Sequence, residues 1–183
     1  MAKNKENEVL TNEEETAKVE TTTKKETSTK KQAHKFSPDD MIPCRSVTYG
    51  ELLLEGFKTK ALYTWANEGD VTYVEYQDLQ ALQSRKSRFL TDPLFIIEDE
   101  DLVSNWSSTL KSIYDKVEEE NLEELLKLPV AKLKNKLKAS PDGVKNSVKS
   151  MAAAKILAGE FDSLNRIKAI DEVLGTQLIS MIQ

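Results

Sequence analysis

The chain has 183 residues, with 26 Lys and Arg against 31 Asp and Glu for a formal net charge of -5, one cysteine and one histidine. A single thiol excludes an intramolecular disulfide framework, and Cys44 with His34 supplies too few soft ligands for a zinc or haem site. The longest apolar runs, such as Leu52 to Leu54 and Met151 to Ala154, fall far short of the ~20 residues that cross a bilayer, so a soluble chain made in a reducing cytoplasm, without cofactor or metal, is expected.

Residues 1–35 contain seven Thr, eight Lys and seven Glu, with Val9, Leu10 and Val19 among few apolar groups, and every aromatic lies at Phe36 or later. Such a stretch cannot bury enough apolar surface to offset roughly 1–2 kcal/mol of backbone entropy per residue. It reads as a disordered tail, either a solubilising leader or an arm that orders only against a partner. It lacks the apolar segment of a secretory signal.

Residues 36–99 read as a small antiparallel β-rich module. Arg45 to Tyr49, Glu51 to Glu55, Lys60 to Trp65 and Val71 to Tyr76 are short runs rich in Val, Tyr, Trp, Thr and Leu, separated by turn residues. Lys60 to Tyr76 is the best hairpin candidate, because Gly69 can supply a positive φ and Asp70 can bond the local backbone. Asp78 to Arg85 predicts a brief helix with Leu79 and Leu82 on one face, and Phe89 to Ile97 a final strand. Tyr63, Trp65, Tyr73 and Tyr76 read first as core and otherwise as a stacking platform for bases.

Residues 100–183 read as a bundle of short helices, which makes the chain α+β. Asp99 or Asp101 can cap a helix running to about Glu118, with Leu102, Trp106, Leu110, Ile113, Tyr114 and Val117 on one face. Asn121 with Glu124 resembles a capping box before Leu122, Leu125 and Leu126, and Pro129 opens a helix carrying Val130, Leu133 and Leu137. Ser140-Pro141 starts another through Val144, Val148, Ala152, Ile156 and Leu157, ending at Gly159. Asp162 is expected to cap Leu164, Ile167, Ile170 and Leu174, closed by Gly175. The terminal Leu178, Ile179, Met181 and Ile182 are expected to dock on the bundle.

Charge here is segregated along the chain. Glu98 to Glu124 holds ten Asp or Glu against Lys111 and Lys116, whereas Lys127 to Lys168 holds nine Lys and Arg166 against Asp142, Glu160 and Asp162. The stretches can pair within one subunit or between neighbours, where complementarity sets orientation and encounter rate. The basic half also supports an alternative reading as a nucleic-acid-binding accessory protein, through Lys127, Lys132, Lys134, Lys136, Lys138, Lys145 and Lys149. Leu122 to Ala139 resembles a helix-extended-helix or SAP-type DNA-binding hairpin. Lysines at spacing two cannot share one helical face, and the net negative charge counts against the reading.

No catalytic constellation emerges. Glu98-Asp99-Glu100-Asp101 and Glu118-Glu119-Glu120 fit solvated helix starts, and the first run lacks the glycine and spacing of a calcium loop. Beyond His34 in the tail there is no histidine to act as a general base, and no glycine-rich phosphate loop is present.

Ile42-Pro43-Cys44-Arg45-Ser46-Val47-Thr48-Tyr49-Gly50, Tyr63-Thr64-Trp65, Gly69-Asp70-Val71, Val74-Glu75-Tyr76-Gln77-Asp78-Leu79, Phe95-Ile96-Ile97-Glu98-Asp99 and Phe161-Asp162-Ser163-Leu164-Asn165-Arg166-Ile167-Lys168-Ala169-Ile170-Asp171 together resemble an uncharacterised group of tailed-bacteriophage proteins. The resemblance implies a non-enzymatic virion or morphogenesis protein, made in the host cytoplasm and acting through contacts with other virion or assembly proteins or with itself.

Overall fold

A computed structural model describes residues 35–118 and 121–182. Apart from Lys35, the tail expected over 1–35 lies outside the described residues, as do Glu119 and Glu120 of the second carboxylate run. The described residues form an α+β fold of two small antiparallel sheets and a set of short helices.

Among the described residues five strands are formed: β1 (Met41–Ser46), β2 (Leu52–Glu55), β3 (Leu62–Trp65), β4 (Val71–Glu75) and β5 (Phe95–Ile97). β1 is the centre of a three-stranded sheet of order β4-β1-β5. Its inward residues Ile42, Cys44 and Ser46 are buried, so the strand starts four residues earlier than the expected run from Arg45. Pro43, with no N–H, sits where β5 ends, and its carbonyl accepts the Glu98 N–H at 3.0 Å.

The expected hairpin over Lys60 to Tyr76 is not the one formed. β3 pairs back on β2, with Leu52 opposite Trp65 and Leu54 opposite Tyr63, which puts four large buried side chains on one face. Burial of each contributes about 1.5–3 kcal/mol. β4 instead pairs with β1, Ile42 opposite Val74 and Cys44 opposite Thr72. The turn chemistry between β3 and β4 is as expected: Gly69 has φ +84°, and Asp70 Oδ2 accepts the Ala66 and Asn67 N–H groups at 3.0 Å. That turn docks on the end of β1, where Gly69 N–H donates to Ser46 O and Ser46 N–H to Asp70 O, both at 2.9 Å. The docking carries the chain from one sheet into the other, and Thr72 Oγ1 still reaches Thr64 O at 2.6 Å.

α1 (Tyr76–Ser84) buries Leu79 and Leu82 as the spacing predicts. The expected strand over Phe89 to Ile97 is half helical. Ser87 Oγ accepts the Phe89 N–H and starts α2 (Arg88–Thr91), leaving β5 to begin after Pro93.

The single helix expected from Asp99 to Glu118 is two, α3 (Glu100–Trp106) and α4 (Ser108–Glu118). Asp99 caps the first, with Oδ1 accepting Leu102 N–H at 2.8 Å. Ser107 breaks the run in extended conformation (φ -169°, ψ 124°), its hydroxyl accepting Leu110 N–H at 3.4 Å. A serine that offers the backbone this local alternative disfavours a continuous helix.

α5 (Leu122–Lys127) is capped by Asn121, whose Oδ1 accepts Glu124 N–H at 3.1 Å. α6 (Val130–Ala139), α7 (Asp142–Leu157) and α8 (Leu164–Leu174) follow. Gly159 (φ +73°) and Gly175 (φ +66°) turn left-handed at the ends of α7 and α8. The N-cap position of α8 is Ser163, not Asp162, and it makes no side-chain capping bond. A final 3-10 turn, Leu178–Met181, docks as expected. Asp171 of α8 holds it, accepting Thr176 Oγ1 at 2.5 Å and the Leu178 and Ile179 N–H groups at 2.7 and 3.0 Å.

One apolar core runs from the sheets through the helices. At its centre Trp65 stacks on Phe95 at 5.2 Å and donates Nε1–H to Cys44 O at 2.8 Å. α7 is tied to the segment after β1 by Ser147, whose hydroxyl donates to Val47 O at 2.7 Å and accepts Tyr49 N–H at 3.3 Å. Gly143, in the first turn of α7, lies against the α2–β5 connection. A Cβ there would come within 1.9 Å of Pro93 O and 2.6 Å of Asp92 O, so glycine is required by the approach of two backbones.

Candidate functional site

The seven lysines singled out above divide into three groups. Three are compensated locally: Lys127 Nζ lies 2.9 Å from Glu124 Oε1, Lys145 Nζ lies 3.0 Å from Asp142 Oδ1, and Lys134 pairs with Glu172 of α8. Lys132 and Lys136 are exposed on α6. Lys138 and Lys149 line a surface recess of about 470 Å³ together with Lys145, Arg88, Asp142, Asn146, Val173 and Leu174.

That recess collects residues from four helices. Lys138 comes from the last turn of α6; Asp142, Lys145, Asn146 and Lys149 from the first half of α7; Val173 and Leu174 from the end of α8; and Arg88 from the start of α2. Arg88 Nε donates to Asp92 Oδ2 at 2.5 Å. That bond, then the Asp92 charge and more weakly the Asp142 charge, raise its pKa. The bare approach of Gly143 to Pro93 brings α2 to α7, and so Arg88 to the lysines. Nothing in the local sequence around Arg88 signals this, because its partners lie some fifty residues or more away in the chain.

The acidic and basic stretches do meet within the subunit: Lys155 Nζ lies 3.1 Å from Glu123 Oε1. Elsewhere the acidic residues use other partners, with Arg45 reaching Glu98 at 2.8 Å and Glu118 at 3.4 Å.

The aromatic quartet does not form a platform. Tyr63 and Trp65 are in the core, and Tyr76 is half-buried, stacked on Phe36 at 5.1 Å. Tyr73 is 56% exposed on the outer side of the β1–β4 pair. Register places Tyr73 opposite Pro43 and Val71 opposite Arg45, with Met41 on the same face. Met41, Val71 and Tyr73 are all exposed there, and the other sheet presents Leu53 and Leu62 outward.

One buried carboxylate went unmarked by sequence reasoning. Asp78 is 1% exposed and accepts Thr59 Oγ1 at 2.5 Å, Lys58 N–H at 2.6 Å, Tyr63 Oη at 2.9 Å and Thr59 N–H at 3.3 Å. Burial pushes its pKa up, but the bonds from Thr59, Lys58 and Tyr63 outweigh it and hold the carboxyl below the ordinary value. All its acceptor capacity is used in fixing the β2–β3 loop to α1. Gly56 packs against it so closely that a Cβ would lie 2.3 Å from Oδ2. The Cys44 thiol is fully buried, and burial first, then the Glu98 charge, push its pKa up, away from the reactive thiolate.

Among the described residues no helix is long and apolar enough to cross a membrane, and no three His, Cys, Asp or Glu converge as a metal site. No protein-family model, curated protein or solved structure matches the chain.

Proposed function

We propose that the chain is a non-enzymatic structural or assembly protein of a tailed bacteriophage, working in the virion through protein–protein contacts. The observation that carries this reading is the outer sheet face. Met41, Val71 and Tyr73 lie on one side of the β1–β4 pair, 52%, 45% and 56% exposed, and contiguous exposed apolar groups mark contact surfaces. The partner is a neighbouring virion subunit, of this chain or another. The family resemblance supplies the virion context, and Asp78, with its bonds turned inward, is occupied in holding the fold.

The test is quantitative mass spectrometry across a density gradient of phage particles. The chain is expected to co-sediment with mature virions at a constant ratio to the main shell protein, and Val71→Asp/Tyr73→Asp to lower that ratio without changing the thermal unfolding of the isolated protein. Absence from particles, with the chain present in lysate, overturns the structural role. Normal incorporation of the double variant overturns the assignment of the sheet face.

A further inference from the structure

We propose that the recess formed by Arg88, Lys138, Lys145 and Lys149 binds phosphate groups of a nucleic-acid backbone. The inference is independent of the contact reading, since it concerns a different surface built from helices rather than strands.

Positive charge is in excess in the recess. Among the described residues four cations and one carboxylate, Asp142, line the recess. Arg88 is engaged by Asp92, and Lys145 by Asp142. Lys138 and Lys149 have no carboxylate at ion-pair distance among the described residues. Lys145 and Lys149 stand one turn apart on α7, and like charges at that spacing repel. The gathering therefore costs the free protein energy, a cost that an anion seated between them reverses.

The concave shape matters as well. Cations around a recess act on a bound anion together, where surrounding protein lowers the local dielectric. Asn146 adds an amide that can bond a phosphate oxygen. The recess, at about 470 Å³, is larger than a single phosphate group fills, and its cations are spread over three helices, which favours an extended polyanion over a single small one. Backbone contacts of this kind position a nucleic acid without reading its sequence.

The experiment titrates full-length protein into a fluorescein-labelled oligothymidylate and into a labelled duplex of the same length, over a range of salt. Affinity is expected to fall linearly on logarithmic axes. Lys138→Gln/Lys149→Gln is expected to flatten the slope by about 1.4 for the single strand and about 1.8 for the duplex, two phosphate contacts' worth. Asp142→Asn, which removes the one negative charge that the described residues place in the lining, is expected to tighten binding, an outcome that misfolding could not produce. Lys58→Gln/Lys116→Gln is the charge-matched control on other surfaces and is expected to leave the slope unchanged.

No binding at the lowest salt overturns the proposal. So does an unchanged slope in the recess variant, or an equal loss in the control. Inorganic phosphate or a mononucleotide binding as tightly as the oligonucleotide would assign the recess to a small phosphate ligand and overturn the backbone reading.

Discussion

The Asp78 hub and the recess between α6, α7 and α8 are both polar places in the fold, and they differ in what is left over. At Asp78 a carboxylate out of contact with water takes two side-chain and two backbone donors, and nothing remains to offer a ligand. At the recess Lys138 and Lys149 have no carboxylate at ion-pair distance among the described residues. A saturated polar cluster holds a structure together, whereas an unsaturated one at the surface is available for binding.

The strongest way to break the comparison is to empty the hub. Asp78→Ala leaves the Lys58 and Thr59 N–H groups without an acceptor and the Thr59 and Tyr63 hydroxyls with only a long 3.5 Å contact to each other. The expected loss is about 3–5 kcal/mol, which for a chain of this size lowers Tm by roughly 6–20 °C; a change under about 1 kcal/mol would remove Asp78 as an anchor. The hub also carries a pH signature. Because the folded-state pKa of Asp78 is depressed, its contribution is present above the ordinary aspartate pKa of about 3.9 and fades as pH falls through the folded value. Denaturant midpoints between neutral and acid pH are expected to fall less steeply in Asp78→Asn than in the parent.

Gly143→Ala strikes the support of the recess. The added Cβ meets backbone oxygen, not a flexible side chain, so the cost is expected at the upper end of overpacking, about 3 kcal/mol, measured by chemical denaturation. If the variant still folds, displacing α7 from Asp92 and Pro93 is expected to move Arg88 away from Lys145 and to weaken oligonucleotide binding.

Ser107→Ala removes the hydroxyl at the head of α4, and a loss of about 1 kcal/mol is expected. The smallest effect belongs to the recess itself: Lys138→Gln and Lys149→Gln are each expected to change stability by less than about 0.5 kcal/mol. That contrast with Asp78→Ala, read in one set of melting curves, separates residues that hold the fold from residues kept for a partner.

Much of this was legible in the sequence. Apolar spacing located most of the helices, with Leu133 and Leu137, Val144 and Val148, and Ile167 and Ile170 all buried as their periodicity requires. The capping residues Asp99 and Asn121 also act where their local patterns place them. Strand pairing was less legible, because Val71 to Glu75 carries the same alternation whether it pairs with β3 or with β1. The choice rests on Ser46, which takes up the turn at Gly69 and Asp70. Asp78 reads locally as a first-turn helix acid, and only the folded β2–β3 loop reveals its partners. Lys138, Lys145 and Lys149 belonged to a basic run visible in the sequence, but Arg88 joins them through Gly143, an approach that no local pattern encodes.

The enclosed thiol of Cys44 has a practical consequence. It sits in the centre strand with 0% exposure, and it is the only cysteine in the chain. A thiol-reactive label therefore reaches it only when the β4-β1-β5 sheet opens. The rate of its single incorporation is an internal clock for that opening, in the same sense that amide exchange times the release of core strands.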